Sequence, residues 1–588
     1  MITGPILVLV TWFVAVLVIA AMGLAPALVA ARGALNPRTM RSALWWGLLF
    51  AAIVILATNS WLPLRSGSAA IVFVIVVVLL AVIGIWLIKR RKQSALTISS
   101  NGRWWLLPLF IAIALAVVYL AVAAMGPVTN YDSGLYHLGA IKYAGDFATI
   151  PGLANLYFPF GYNNSLFPLA AFLGNGPWDG DGYRLINGLL MMLMATDLVI
   201  RLLQRKYSVG TFVLFIGFTA SWVPLIALSD YWVTSPTSDS SVFILALVAV
   251  SYFSDALTSK KAWQGDAAVA VVIGLLLVSL RQTMAAFLIS LIVIIVIRAW
   301  RLRSDTGEIG KRASINKALW LMVFGSGIAL ALVQSGRDYL LSGWLQYPLS
   351  LFTFKIDWAA ADPIWARTAT LGAARDPANL WEAAGNWAWI PGWFGRLPSQ
   401  WEPFELALLL VVASICLITA TRLTHAVRWR SLVLALVPSV VTALVWFFAS
   451  PPSFRFAWGP LLGLGVIPLG WALYALAQSR SIGRLIAPVL TLGLSATLVL
   501  LLGYCAVARL DTTWTEDRAF TLGPVQINYQ VTPIPVPETK QQQLPGGLVI
   551  VIPVPSDQCW DVYPLCVGQN PGAIRQRGQT LQDGFTAN

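Results

Sequence analysis

The sequence predicts an all-α polytopic membrane protein of about 14 transmembrane helices, with amphipathic helices in its extracytoplasmic loops and a small C-terminal extracytoplasmic segment containing some β structure. Three observations predict it. The 588 residues are 58% hydrophobic and 11% charged, where a soluble domain carries ~25% charged residues. Apolar runs recur along the chain, each close to the ~20 residues that cross the hydrocarbon core. The basic residues gather in alternate short loops between those runs, the distribution that sets orientation in a bilayer.

The runs lie near 5–30, 43–62, 68–88, 105–125, 181–203, 210–229, 240–256, 266–280, 283–300, 317–334, 403–421, 431–449, 456–477 and 485–507. Met1-Ile2-Thr3 lacks the basic start of a signal peptide, and the first run is long enough to span, so it reads as a retained helix. The pair 266–280 and 283–300 is short and interrupted by Arg281-Gln282, which suits two short helices meeting near one face. The run 164–175 is too short to cross and reads as an interfacial or re-entrant piece. The chain thus divides into N-terminal transmembrane helices (1–125), a first large extracytoplasmic loop (126–180), a transmembrane core (181–334), a Trp-rich extracytoplasmic loop (335–402), C-terminal transmembrane helices (403–507) and an extracytoplasmic tail (508–588).

The net charge of +14 does not point to nucleic acid, because the cations are dispersed among loops. With both termini outside, the inside loops carry Arg32, Arg38 and Arg41; Lys89, Arg90, Arg91, Lys92 and Arg103; Arg201, Arg205 and Lys206; Lys260 and Lys261; Arg298, Arg301, Arg303, Lys311, Arg312 and Lys317; Arg422, Arg428 and Arg430; and Arg480 and Arg484. Asp132, Asp146, Asp179, Asp181, Asp230, Asp239, Asp338, Asp357, Asp362 and Asp376 fall outside. The alternation is self-consistent and directs any chemistry to the extracytoplasmic side.

The 335–402 segment is dense in tryptophan (344, 358, 365, 381, 387, 389, 393). Tryptophan prefers the headgroup level, so this loop is expected to lie on the membrane as short amphipathic helices and to cover a site. The tail holds a strand-like run from Gly547 to Pro555, followed by Cys559 and Cys566. Two cysteines seven apart in an oxidising compartment suggest a disulfide. Cys416 and Cys505 lie in apolar runs and read as packing residues.

The candidate chemistry centres on Tyr131-Asp132-Ser133-Gly134-Leu135-Tyr136-His137, just beyond the fourth run. A carboxylate and a histidine are not needed to cross a bilayer. Asp132 reads either as a helix N-cap, or as a general base for an acceptor hydroxyl, or as a ligand for a divalent metal such as Mg or Mn. Tyr136 and His137 are candidate substrate-binding residues, with His137 either beside Asp132 or on the far side of the helix. Asp239, in Thr234-Ser235-Pro236-Thr237-Ser238-Asp239, is either a second N-cap or a second acidic wall of the same pocket. Arg281, Lys355 and Arg455 are cations at the outer face, suited to a phosphate or to lipid headgroups. No Walker loop, GxGxxG with an acidic partner, HExxH, GxSxG or zinc-type cysteine cluster occurs, and two histidines exclude a His-rich metal site.

In their order and topology these residues resemble the glycosyltransferase C superfamily, polytopic enzymes that use polyprenyl-phosphate-linked sugars. Asp132 matches the acid of its first large extracytoplasmic loop, and Ser235-Pro236-Thr237-Ser238-Asp239 is similar to a Ser-Pro-x-x-Asp element at a later outer helix start. Closer still is the resemblance to a poorly characterised bacterial membrane-protein family, through Arg337-Asp338-Tyr339-Leu340-Leu341-Ser342-Gly343-Trp344, Arg455-Phe456 and Asp557-Gln558-Cys559-Trp560-Asp561, over about 126–586. The first loop lacks an Asp-x-Asp pair, and four runs precede it where many members of the superfamily have one.

The resemblance implies an inverting transfer in a bacterial plasma membrane, from a polyprenyl-phosphate-linked sugar to a glycan, lipid or protein of the cell envelope. Arg455 or Arg281 would hold the phosphate and Asp132 would act as base. The alternatives weighed against it are a transporter or flippase of lipid-linked sugars and a non-catalytic envelope assembly subunit.

Overall fold

A computed structural model describes residues 2–89, 103–204, 206–304, 315–349, 351–479, 483–569 and 571–587. Arg90, Arg91, Lys92, Arg205, Lys311, Arg312 and Arg480, which carry part of the expected inside charge, lie outside the described residues. Among those described, fourteen helices are long and apolar enough to cross a membrane: Thr3–Ala30, Pro37–Asn59, Gly67–Lys89, Trp104–Ala123, Gly182–Leu202, Val209–Ala227, Ser238–Thr258, Trp263–Leu280, Gln282–Leu302, Lys317–Ser342, Trp401–Leu423, Trp429–Ala449, Trp458–Ala477 and Gly483–Ala508. Each apolar run long enough to span falls on one of them. The protein is a mainly α-helical, multi-pass membrane protein.

Backbone approach sets the packing of the first two helices. A Cβ on Gly23 would lie 1.9 Å from the Ala43 carbonyl oxygen, and one on Gly47 would lie 1.7 Å from that of Ile19. Only glycine permits this contact, which replaces the hydrophobic driving force that lipid cannot supply. Ser238–Thr258 is the centre of the bundle, buried at every residue from Ser238 to Leu257. Gly67–Lys89 buries only Ala69 and Gly84 and is a peripheral, lipid-facing helix.

Two elements differ from expectation. The tenth helix runs to Ser342, past the expected end at 334. It can do so because the Arg337 guanidinium is satisfied inside the bundle by Asn59 Oδ1 and Thr149 Oγ1, both at 2.6 Å, and by Asn163 Oδ1 at 3.1 Å. Gly343, at φ 76°, then closes the helix in the left-handed conformation. Arg41 and Arg201, expected in loops, lie within Pro37–Asn59 and Gly182–Leu202 and are buried.

The short run near 164–175 forms the helix Leu166–Leu173. The Trp-rich segment contains a hairpin (Trp344–Gln346 with Leu351–Thr353) and the short helices Ile364–Arg375, Leu380–Gly385 and Ile390–Arg396. The tail makes three antiparallel hairpins: Glu516–Leu522 with Val525–Val531, Glu538–Gln543 with Val549–Val554, and Ile574–Gln576 with Phe585–Ala587. It returns to the membrane domain through Arg518 Nε on Asp181 Oδ2 (2.7 Å), Arg184 Nη2 on the Thr532 carbonyl (2.7 Å) and the Phe585 N–H on the Pro151 carbonyl (2.9 Å).

Candidate functional site

Asp132 sits where the chain leaves the fourth span and turns into the short helix Leu138–Asp146. The Asp132 N–H donates to Asn130 Oδ1 at 3.0 Å, and Ser133–His137 forms one π-helical turn. Such a turn is wider than the α-helix, leaves the usual backbone ladder and is frequent at functional sites. The Asp132 carboxylate makes no capping bond. It instead accepts from Arg455 Nη1 at 2.7 Å.

Arg455 is held by its own turn, Phe454–Phe456, between two spans. Trp446 Nε1 donates to the Ser453 carbonyl at 2.8 Å and Trp393 Nε1 to the Pro452 carbonyl at 2.9 Å. The Trp393 and Phe454 rings stack with centroids 6.2 Å apart. The Trp-rich segment therefore braces the turn that presents Arg455.

Asp239 lies in the first turn of Ser238–Thr258. The N-cap there is Thr237, whose hydroxyl accepts the Asp239 N–H at 3.2 Å. The Asp239 carboxylate pairs with Arg281 Nη2 and stands 3.9 Å from Arg455 Nη1. Arg281 Nη1 donates to the Arg455 carbonyl at 3.2 Å, and both guanidinium carbons lie 4.9 Å from the Phe456 ring centroid. Arg281 occupies the extended break between Trp263–Leu280 and the next helix. Positions 132, 239, 281 and 455 thus form one quartet of two carboxylates and two guanidiniums. Side-chain exposure grades it: Asp239 4%, Arg281 17%, Asp132 22% and Arg455 31%. Asp239 is buried, and the other three are partly reached by solvent. Burial opposes the Arg455 charge, but Asp239 and Asp132 outweigh it and hold the guanidinium above its ordinary pKa.

His137 stands behind the quartet. It is buried, with Nδ1 3.2 Å from Ser133 Oγ and its ring packed on Tyr136 and Phe167. Burial pushes it down to about 4 against the pull of Asp132 and Asp239, so the imidazole is neutral near pH 7. Tyr136 packs edge-on to Tyr162 and Phe167. Burial and then the neighbouring Asp132 raise its phenol well above the ordinary value, so it stays a donor. Lys355 is exposed beyond the hairpin.

The tail completes the rim. Cys559 and Cys566 are disulfide-bonded. The loop around them rests on the Asp132 turn: Tyr131 Oη donates to Asp557 (2.6 Å), Gln558 Nε2 to the Tyr131 carbonyl (2.9 Å), and Lys142 Nζ to Asp561 (2.6 Å). Burial and Asp557 push the Tyr131 phenol up to about 12. Sequence reasoning singled out neither Tyr131, Asp557, Trp560 nor Phe456 as site residues. Their neighbour Asp132 was the signal available in the first loop, while the tail residues are 425 or more positions away from it.

A second charge cluster was missed altogether. Arg201 pairs with Asp197 (2.7 Å) and Asp255 (2.8 Å), and Arg41 with Asp266 (3.2 Å) and Asp255 (3.5 Å), all buried. Both guanidiniums lie over Tyr252. The signal was present in Asp197 and Arg201, an i, i+4 pair inside an apolar run.

A divalent metal fits the quartet poorly, because a guanidinium already stands between the two carboxylates. Among the described residues, no group of three or more His, Cys, Asp and Glu side chains converges to hold a metal ion.

A family model described as a domain of unknown function, DUF8201, matches residues 6–462. The chain belongs to this family. The DUF8201 match includes all four residues of the quartet and ends before the tail that braces Asp132. Comparison with curated proteins and with solved structures returned no match.

Proposed function

We propose that this protein is a membrane glycosyltransferase that moves a sugar from a polyprenyl-phosphate donor to a hydroxyl of a cell-envelope glycan, lipid or protein. The resemblance to the glycosyltransferase C superfamily suggests the class. The observation that carries the reading is the ion pair of Asp132 and Arg455, backed by Asp239 and Arg281. It is a carboxylate and a guanidinium in hydrogen-bond contact at a solvent-reached edge of an apolar bundle, which supports a base and a phosphate-binding cation in those places.

In this reading Arg455, supported by Arg281, holds the donor phosphate. Asp132 takes the proton of the acceptor hydroxyl as its oxygen attacks the anomeric carbon. The bond from that carbon to the phosphate oxygen breaks, and the phosphate leaves with the electron pair onto Arg455. One displacement inverts the anomeric configuration. Charge alternation along the chain supports an extracytoplasmic site with both termini on that side.

The test is transfer from synthetic polyprenyl-phosphate sugars by purified protein and by Asp132→Asn. The reading expects transfer or slow donor hydrolysis in wild type and a loss of about 10²-fold or more in the variant, the scale of a general base. Equal, near-zero rates across a donor panel with folded protein would sink it.

The buried cluster of Arg41, Asp197, Arg201, Asp255 and Asp266 favours a second reading, a transporter of lipid-linked sugars, since intramembrane charges mark pathways. Flux of a labelled lipid-linked sugar across vesicles reconstituted with the wild-type protein, and not across protein-free vesicles, is the outcome that would select it.

A further inference from the structure

Arg455 is both the proposed phosphate ligand and the partner of the proposed base, so an anion seated on its guanidinium comes to lie against the Asp132 carboxylate on Nη1. We infer that a phosphate ester binds this site by displacing Asp132 from Arg455, so that the base is released only when the phosphate is in place. This rests on the glycosyltransferase reading and extends it to the order of binding.

The geometry distinguishes which carboxylate gives way. Asp239 is sealed in the first turn of the central helix and holds Arg281 as well as facing Arg455. Its removal would leave two cations without a buried counter-charge. Asp132 has a single side-chain hydrogen bond among the described residues, to Arg455, and no cap contact. Its π-helical turn is not locked by the carboxylate, and Asp132 is reached by solvent where Asp239 is buried. Arg455 Nε and Nη2 make no hydrogen bond among the described residues, so an arriving anion engages them first, and its charge then repels the Asp132 carboxylate from Nη1. The guanidinium fork matches a phosphate bidentately, which a single Nη1 to carboxylate contact does not equal.

The quartet holds two carboxylates and two guanidiniums, and a phosphate diester adds one negative charge beside Asp132. That charge repels the Asp132 carboxylate from Arg455. The same event that seats the donor therefore frees the base. An acceptor that arrives first meets a carboxylate whose negative charge is spent on Arg455, so the donor binds first and the acceptor second.

The test is the binding of farnesyl phosphate, inorganic phosphate and farnesol to the full-length protein in detergent, by titration calorimetry. In wild type, farnesyl phosphate is expected to bind. Inorganic phosphate binding as tightly would assign the site to free phosphate rather than to a lipid headgroup, and farnesol binding as tightly would remove the phosphate from the argument. Asp132→Asn is expected to bind farnesyl phosphate about 5- to 10-fold more tightly than wild type, because the resident anion is gone. Asp132→Glu restores wild-type affinity. Glu538→Gln removes a negative charge from an exposed tail strand outside the site and should change affinity by less than about 2-fold. Asp132→Ser stands in if the Asn variant does not fold.

Equal or weaker binding in Asp132→Asn, with wild type binding well, overturns the displacement and leaves the glycosyltransferase reading standing. Equal tightening by Glu538→Gln overturns it as well, by making it a long-range charge effect. Failure of wild type and Asp132→Asn alike to bind any phosphate overturns the reading on which it rests.

Discussion

The Trp560 N–H donates to the Gly134 carbonyl at 2.9 Å, and the Trp560 indole occupies the space where a Gly134 side chain would begin. A Cβ at Gly134 would lie 2.5 Å from Trp560 Cε2 and 2.9 Å from Gln558 Nε2. The tail is thereby keyed to the turn that carries Asp132, two residues before that glycine. The disulfide loop of the tail and the charged quartet form one continuous structure.

Gly134→Ala should therefore push the tail off the turn. Overpacking of this kind costs ~1–3 kcal/mol, and thermal unfolding in detergent should show it. Under the proposed function, sugar transfer should fall along with it. Adding Trp560→Ala to Gly134→Ala should recover part of the loss, since the clash then has no partner. A double variant no better than the single one would mean that the tail does not set the turn.

Loss of the disulfide should loosen the same contact. Closing a loop of this size stabilises by ~2 kcal/mol in the chain-entropy account. Cys559→Ser with Cys566→Ser should leave the membrane helices intact while exposing the segment around Asp557 to protease. Limited proteolysis followed by mass mapping reads this directly, and an unchanged cleavage pattern would contradict it.

His137 makes the first loop acid-sensitive. Its folded pKa, pushed down to about 4, lies below the ordinary 6.5. The unfolded chain therefore binds the proton first. Stability is complete above pH 6.5 and is lost as pH falls from there toward 4, by up to ~3 kcal/mol for a shift of this size. His137→Gln should flatten the fall in thermal midpoint between pH 7 and pH 5. A variant that falls as steeply as wild type would put the acid sensitivity elsewhere.

Arg201→Met should be far more damaging than a change at the surface. It leaves Asp197 and Asp255 as buried carboxylates without their shared partner, and breaking a buried pair from one side costs ~3–5 kcal/mol. Joint replacement of Arg201, Asp197 and Asp255 by apolar residues of like size should cost less. Unfolding midpoints in detergent compare the two.

Much of the fold is legible in the sequence because a bilayer imposes a length and an apolarity on every span. Those constraints are local, so runs such as 317–334 and 485–507 could be marked without knowing their neighbours. The end of the tenth helix was not legible. Whether Arg337 ends a span or is carried inside depends on Asn59, Thr149 and Asn163 meeting it from three other parts of the chain.

The candidate site divides in the same way. Sequence alone determined which groups deserved suspicion: Asp132, Asp239, Arg281 and Arg455 are charged where an apolar bundle meets water, a placement that is costly without a partner. It could not separate an N-cap from a site residue, because both begin a helix after a turn. Only the tertiary structure decided that neither carboxylate acts as a cap. It gave Asp132 no capping bond, gave the cap before Asp239 to Thr237, and turned both carboxylates onto guanidiniums 323 and 42 positions away. The physical reason is that capping is a contact within a few residues, whereas charge pairing in a membrane protein is settled by which helix ends the bundle brings together.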